Sequence, residues 1–252
     1  MRKIEMIEVP SMPLIERGDD LAQLILKCCK LSNLEILDGD VFVIAQTIVS
    51  KAQGKIFDLR KITPSKKALK LSEKSGKDAR LCELILRESK EVLRVGEGPI
   101  IVETKHGLIC ASAGIDHSNV RGSEHFVITL PDDPDRTAKD IRKKLEKATS
   151  RKLVVIINDT QGRPFISGAV GVAIGLSGMK PIWVRAGEDD LYGYTLRASP
   201  IATADEMASA ASLLMGQASE GIPVVIIRGA NYLRGEGSAR EMRREKERDL
   251  FR

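Results

Sequence analysis

Residues Leu153-Val154-Val155-Ile156-Ile157 form an unbroken apolar run, set between Arg151-Lys152 and Asn158-Asp159. Most of these side chains are β-branched, which favours a strand over a helix, and the run is short enough to be one. A strand that does not alternate is covered on both faces. The chain must therefore place structure on each side of a sheet. Val41-Phe42-Val43-Ile44-Ala45 and Pro223 to Ile227 repeat the pattern. At 252 residues the chain is long enough to bury a full core as one large domain or two smaller ones.

Around these runs the remaining pattern is mixed. Ile4 to Val9 partly alternates and leads into Pro10 and Pro13, a strand entering a restrained loop. Asp19 to Lys30, Ser65 to Lys74 and Asp78 to Leu93 read as helices, and Gly76 separates the last two. Ile100 to Ala113 reads as a hairpin turning at His106-Gly107. A helix begins at Asp135, with Thr137 as its expected cap, and Thr203-Ala204-Asp205-Glu206 is a capping-box pattern opening another. Val170 to Ile174 and Pro181 to Val184 are further strand candidates, and the tail reads as a charged surface helix over 237–252. Strands and helices do not alternate strictly, so the expected class is α+β. A single unit over 1–252 is expected, with room for two subdomains divided by a middle segment near 95–185.

Several functions are disfavoured by composition. No apolar stretch is long enough to span a bilayer, and Glu5 and Glu8 interrupt what would be a signal peptide's apolar core. Cys28, Cys29, Cys82 and Cys110 make no zinc-type pair, which fits reduced thiols in a cytoplasm. The net charge of +5 is spread thin, and an aromatic content of 4% leaves nucleic-acid bases few stacking partners. Neither a Walker-type phosphate loop nor a Rossmann glycine fingerprint is present, and the three histidines are scattered. A nucleotide site, if there is one, must use another scaffold.

Polar clusters follow the buried strands, where a rigid backbone holds side chains in place. After Ile157 comes Asn158-Asp159-Thr160-Gln161-Gly162-Arg163-Pro164. An Asp and a Thr side by side suit a hard cation such as magnesium or manganese, and Arg163 suits a phosphate. A polar turn capped by Asp159 reads the same way. After the hairpin, Asp116 and Asn119 in Gly114 to Val120 are spaced to face one pocket, or to build an Asx-type turn, with His117 a bystander. Lys51, in Gln46 to Gly54, is a candidate phosphate contact or a solvated lysine. Gly216 in Met215-Gly216-Gln217 either places Gln217 over a pocket or merely stops a helix.

Taken in order, these clusters resemble the coenzyme F420-0:L-glutamate ligase family. The matching pieces are Ser11 to Ile15, Ser50-Lys51-Ala52-Gln53-Gly54, Gly114-Ile115-Asp116 with Ser118-Asn119-Val120, Leu130-Pro131 with Asp133-Pro134-Asp135, Asp159-Thr160 with Gly162-Arg163, Val172 to Gly175, Asp190-Leu191-Tyr192-Gly193, and Leu214-Met215-Gly216. The resemblance implies GTP as phosphoryl donor, a divalent metal (Mg2+ or Mn2+) with a monovalent cation such as K+ as an optional addition, and a homodimer of unusual α+β fold. It implies stepwise addition of L-glutamate to the deazaflavin precursor through a gamma-glutamyl bond, by way of an acyl phosphate. Carried over by motif, the metal site is Asp116, Asp159, Thr160 and Gln217. The GTP site is Met12, Pro13, Leu14, Ile15, Gln46, Thr47, Lys51, Asn119 and the stretch Met215, Gly216, Gln217, Ala218, Ser219, Glu220, Gly221, Ile222. Lys51 and Arg163 are the candidate catalytic cations. Gln217 stands where some relatives place an acidic residue, Gln53 replaces an expected Glu, and Ile166 sits where relatives often carry Arg. Two rivals remain at this point: a basic nucleic-acid-binding protein, and another enzyme of deazaflavin metabolism on the same scaffold.

Overall fold

The computed structural model describes residues 2–120 and 124–250. Strand β1 (Glu5–Glu8) leads to helix α1 (Leu21–Leu31), strand β2 (Val41–Ala45), helix α2 (Gln46–Ala52) and strand β3 (Ile56–Asp58). Helices α3 (Lys66–Ser75) and α4 (Ala79–Glu88) follow, then strands β4 (Ser89–Val95), β5 (Ile100–Thr104), β6 (Ile109–Ala111) and β7 (Phe126–Ile128). The second half holds helix α5 (Pro134–Thr149), the long strands β8 (Val154–Arg163) and β9 (Ile166–Ser177), and the short strands β10 (Trp183–Val184) and β11 (Pro200–Ile201). Helix α6 (Thr203–Met215) and strand β12 (Val224–Arg228) complete it. Among the described residues no helix is long and apolar enough to cross a membrane.

The main sheet has the order β1-β12-β2-β8-β9. Strands β2 and β8 run parallel, and the other neighbours are antiparallel. The three unalternating runs read from the sequence are its three central strands. Phe42, Ile44, Val155, Ile157, Val224 and Ile226 pack on the side of α1 and α5, whereas Val41, Val43, Val154, Ile156, Val225 and Ile227 pack on the side of α6. Burial of each large side chain here stabilises by about 1.5–3 kcal/mol. Arg228 closes the start of β2 with a two-pronged pair to Asp40, both contacts at 2.8 Å, and also donates to the Glu35 carbonyl. The fold is α+β, as the sequence pattern predicts.

Smaller cores lie in a separate stretch of chain. Ala68, Leu71, Leu81, Cys82, Ile85, Ile100 and Val102 make one, and Leu59, Ile62, Leu84 and Val127 another. These smaller cores fall within residues 57–127.

Several elements differ from the sequence expectation, each for a local reason. The helix expected over Asp78 to Leu93 stops at Glu88, where Ser89 Oγ donates to the Ile85 carbonyl and the chain continues as β4 paired with β5. Gln46 to Gly54, read as a polar cluster, begins with α2; Thr47, Ile48 and Val49 are weak helix formers, but Ile48 and Val49 are buried in the main core. The cap of α5 is Asp133, not Thr137: Asp133 accepts from Arg136 N, and Pro134 takes the first turn. The capping box at Thr203 does not form, because the helix already includes Thr203 and Ala202 holds the cap position; the Asp205 carboxylate accepts from Ala173 N. The polar residues after Ile157 make no turn; they extend β8 to Arg163. The charged C-terminal helix is absent as well. Ser238 caps one short 3-10 turn (Ala239–Met242), and a second covers Lys246–Arg248. The first is pinned by tertiary contacts, since Ala239 is buried and Asp135 accepts from Ser238 Oγ and Ala239 N. The rest has too few apolar residues to dock a helix, and residues 251–252 lie outside the described ones.

Glycines in β9 let helices approach both faces. A Cβ at Gly171 would lie 2.2 Å from Ser212 Oγ on α6, and one at Gly175 would lie 2.4 Å from the backbone carbon of Pro134 at the start of α5. Pro134 is rigid and cannot yield. Gly175→Ala is therefore expected to cost about 1–3 kcal/mol in urea unfolding. Gly96→Ala, where a Cβ meets nothing nearer than 3.5 Å, serves as the mild control.

Candidate active site

Where β2 and β8 end side by side, a cavity of about 480 Å3 opens. Its walls come from four places: the loop after β1 (Met12 to Ile15), the β2–α2 junction (Ala45 to Ile48, with Lys51), the stretch after β6 (Gly114 to Asn119), and the end of α6 with its loop (Met215 to Ala218, Glu220 to Pro223). Strand β8 supplies Asn158 to Gly162 as its floor. The pairing of Ala45 with Asn158 across the parallel strands brings the first and last of these together.

Three carboxylates line this space, those of Asp116, Asp159 and Glu220. Asp116 is fixed by a bridge to Ile128, N–H to carbonyl in both directions, at 3.0 and 2.9 Å. Its Oδ1 accepts from Ser118 N at 2.8 Å, and its Oδ2 from Ser118 Oγ. Asp159 Oδ2 accepts from Gln161 Nε2 at 2.9 Å. Burial raises the Asp159 carboxyl to about 6 and the negative charge of Asp116 adds to the rise, outweighing the Gln161 and Thr160 N–H groups. The neighbouring Cys110 thiol is pushed up to about 12, by burial and then by Asp159.

Opposite charge is supplied by Lys51, in the last turn of α2. It is half-buried, burial lowers its pKa, and it has no ion-pair partner among the described residues. Gln46, at the start of α2, is buried and accepts from Ser50 Oγ at 3.1 Å. Beyond α6, Gly216 takes a φ of 70° and the Glu220 side chain folds across it; a Cβ there would meet Glu220 Cδ at 2.0 Å. Glu220 Oε2 accepts from Ala218 N at 2.7 Å. That N–H, with those of Glu220 and Gln217, holds its carboxyl below the usual range.

Most of the residues singled out from the sequence meet here. Met12, Pro13, Leu14, Ile15, Gln46, Thr47, Lys51, Asp116, Asn119, Asp159, Thr160, Met215, Gly216, Gln217, Ala218, Glu220, Gly221 and Ile222 all line the cavity. Ser219 is in the same loop without lining it, and Arg163 is exposed near the tip of the β8–β9 hairpin, outside the cavity. Gln53 braces the start of α5 instead, donating to Thr137 Oγ1 and accepting from Asp132 N. Cys110, Asn158 and Gln161 line the cavity without having been assigned a role from sequence. Asn158 is buried and donates to Ser212 Oγ at 3.0 Å and Met215 Sδ at 3.5 Å, so it ties β8 to the last turn of α6. Its place in the polar run after Ile157 was the signal, but only α6 gives it partners.

Among the described residues no cluster of three or more His, Cys, Asp or Glu side chains converges on a metal-sized point. The expected ligand set has two carboxylates, a hydroxyl and an amide. Two carboxylates repelling one another in a partly dry cavity, beside Thr160 and Gln217, are a fitting oxygen set for a hard divalent cation.

The raised Asp159 carboxyl has a consequence for stability. Between its ordinary value of 3.8 and about 6, the folded chain holds a proton that the unfolded chain has released. The contribution of this group therefore falls as pH rises through that window. Asp159→Asn is expected to raise the melting temperature of the metal-free protein at pH 7, by the equivalent of about 1–2 kcal/mol after screening by water in the cavity. Added manganese should raise the melting temperature of the wild type much more than that of the variant. Thermal unfolding at pH 4.5 and pH 7, with and without manganese, measures both.

Comparison with known proteins agrees over the whole length. The sequence model described as F420-0:Gamma-glutamyl ligase matches residues 10–229. The chain is similar to the coenzyme F420:L-glutamate ligase of Methanothermobacter thermautotrophicus, 52% identical with 99% of each chain covered. It is likewise similar to the protein of that name from Methanocaldococcus jannaschii, 47% identical with 100% of this chain and 98% of the relative covered. A third, from Methanosarcina barkeri, is 43% identical with 99% of this chain and 95% of the relative covered. With matches spanning the main sheet, both sides of the cavity and the loop after α6, the chain belongs to the F420-0:gamma-glutamyl ligase family.

Proposed function

We propose that this enzyme joins L-glutamate to the deazaflavin precursor of coenzyme F420 through a gamma-glutamyl bond, using GTP to activate the acceptor carboxylate as an acyl phosphate. One observation carries the reading: one cavity of about 480 Å3 is lined both by Lys51, half-buried and without an ion-pair partner among the described residues, and by the carboxylates of Asp116, Asp159 and Glu220. That size suits a nucleotide-scale ligand. Fixed charges of both signs in a partly dry space suit phosphoryl transfer, which needs positioning and electrostatics more than covalent help from the protein.

In this reading the loop from Met12 to Ile15, the Gln46–Thr47 pair, Asn119 and the stretch from Met215 to Ile222 hold GTP. Lys51 neutralises the oxygens of the transferred phosphoryl group. Asp116, Asp159, Thr160 and Gln217 would hold a divalent cation, magnesium or manganese, which supplies charge neutralisation at the phosphates. A precursor carboxylate oxygen attacks the γ-phosphorus and GDP leaves. The glutamate amine then attacks the acyl carbon, a C–N bond forms, and phosphate departs with the C–O electron pair as the amine sheds its proton. Arg163, exposed on the hairpin, enters no step from its own chain's cavity. The proposal includes a homodimer, which would cover the fully exposed Phe165, Leu191 and Tyr192.

The direct test is to incubate the protein with precursor, L-glutamate, GTP and manganese and follow the product by mass spectrometry. A gain of one or more glutamyl units together with GDP is expected; bound deazaflavin without nucleotide turnover would reassign the chain to other chemistry on this scaffold. Lys51→Met keeps the apolar stem and removes the charge. It is expected to weaken GTP binding or turnover at least about tenfold, the equivalent of about 1.4 kcal/mol. Calorimetry with a non-hydrolysable GTP analogue and single-turnover assays give the two readouts, and no change in either would return Lys51 to the status of a solvated lysine.

A further inference from the structure

A second cavity, of about 200 Å3, lies between the outer edge of β9 and the turn at Ala239–Met242. Its walls are apolar at Leu108, Val172, Ile174 and Met242, and polar at Gln161 and Arg243, with Asp205 beside them. Three features mark it as built for a ligand. Arg243 is half-buried here, burial pulls its pKa down, and its guanidinium makes no hydrogen bond or ion pair among the described residues. Arg240, of like charge, lowers the pKa further, and Asp135 and Glu103 oppose this only at longer range. A half-buried guanidinium whose donors are taken by no protein group among the described residues is available to a ligand anion. Gly107 leaves the space that Arg243 occupies: a Cβ there would lie 2.8 Å from Nη1. Gln161 lines this cavity and the larger one alike, and its amide nitrogen is already committed to Asp159. Its Oε1 accepts no hydrogen bond among the described residues and can accept from a ligand. Asp205 faces the strand edge, where it accepts from Ala173 N at 2.8 Å.

We propose that this cavity seats the incoming amino acid, with Arg243 gripping a carboxylate and Gln161 Oε1 receiving the amine at the wall shared with the reaction chamber. The space is small enough to exclude a nucleotide or a deazaflavin and large enough for an amino acid. Its one available cation selects a carboxylate, and its amide acceptor selects a donor such as an amine. This rests on the proposed ligase reaction, of which it names the acceptor subsite.

The test separates the two proposals. Wild-type protein is first assayed for glutamyl transfer; absence of transfer counts against the ligase reading itself. With transfer established, KM is measured for L-glutamate and for GTP in Arg243→Gln, Arg243→Lys and Met242→Trp, the last filling the cavity without touching charge. Arg243→Gln and Met242→Trp are expected to raise KM for L-glutamate at least tenfold and leave KM for GTP within twofold, and Arg243→Lys should recover part of the loss. Titration of L-glutamate into the wild type and the variants, with a GTP analogue present, reads the same loss without catalysis. If any one variant fails to fold, the others decide. An unchanged KM for L-glutamate in folded Arg243→Gln or Met242→Trp, or equal rises for both substrates, overturns the assignment.

Discussion

The parallel pairing of β2 with β8 is the constraint from which the site follows. Parallel neighbours point their ends the same way, so the residues after Ala45 and after Ile157 emerge at one edge of the sheet. One becomes α2, carrying Gln46 and Lys51; the other stays extended and carries Asn158 to Gly162 into the cavity floor. Lys51 and Asp159, about a hundred positions apart in sequence, are thus held on rigid elements. Such placement is what electrostatic catalysis requires, because the charges need not be gathered when substrate arrives.

Strand β9 shows how the rest of the fold serves that pairing. An extra residue at Ile174 shifts its register against β8 between Ile157 and Asn158. The bulge separates a core segment, buried against α5, from an outer segment whose glycine lets α6 lie close. Its free edge is not left open. Asp205 takes the N–H of Ala173, Asp135 takes that of Leu176, and Ser209 donates to the Gly171 carbonyl. Acidic side chains on an edge satisfy its donors and repel further strands. Asp135 also binds Ser238 and Ala239, so one carboxylate at the start of α5 joins the sheet edge to the C-terminal segment.

What the sequence revealed depended on whether the signal was local. The strands at Val41, Leu153 and Pro223 were legible because burial on both faces leaves an uninterrupted apolar record. The helix caps at Thr137 and Thr203 were misread because both helices begin earlier than the local pattern suggests, with Asp133 accepting from Arg136 N in one and Ala202 in the cap position of the other. The stretch from Ser89 to Val95 hid its strand, since only β5 gives its backbone partners. In the candidate site, Asp116, Asp159 and Lys51 carried recognisable chemistry at the ends of legible elements. Asn158 and Gln161 did not, as their roles exist only through Ser212, Met215 and Asp159 in space.

The loop after α6 folds around a negative charge that it carries itself. With the Glu220 carboxylate resting across Gly216 and on the Ala218 N–H, the loop needs no visitor to keep its amides turned toward one another. An arriving anion that uses those amides therefore trades places with a tethered competitor. The exchange leaves the number of satisfied donors unchanged, so occupancy there is decided by the difference between two anions, and little ordering of the backbone remains to be done.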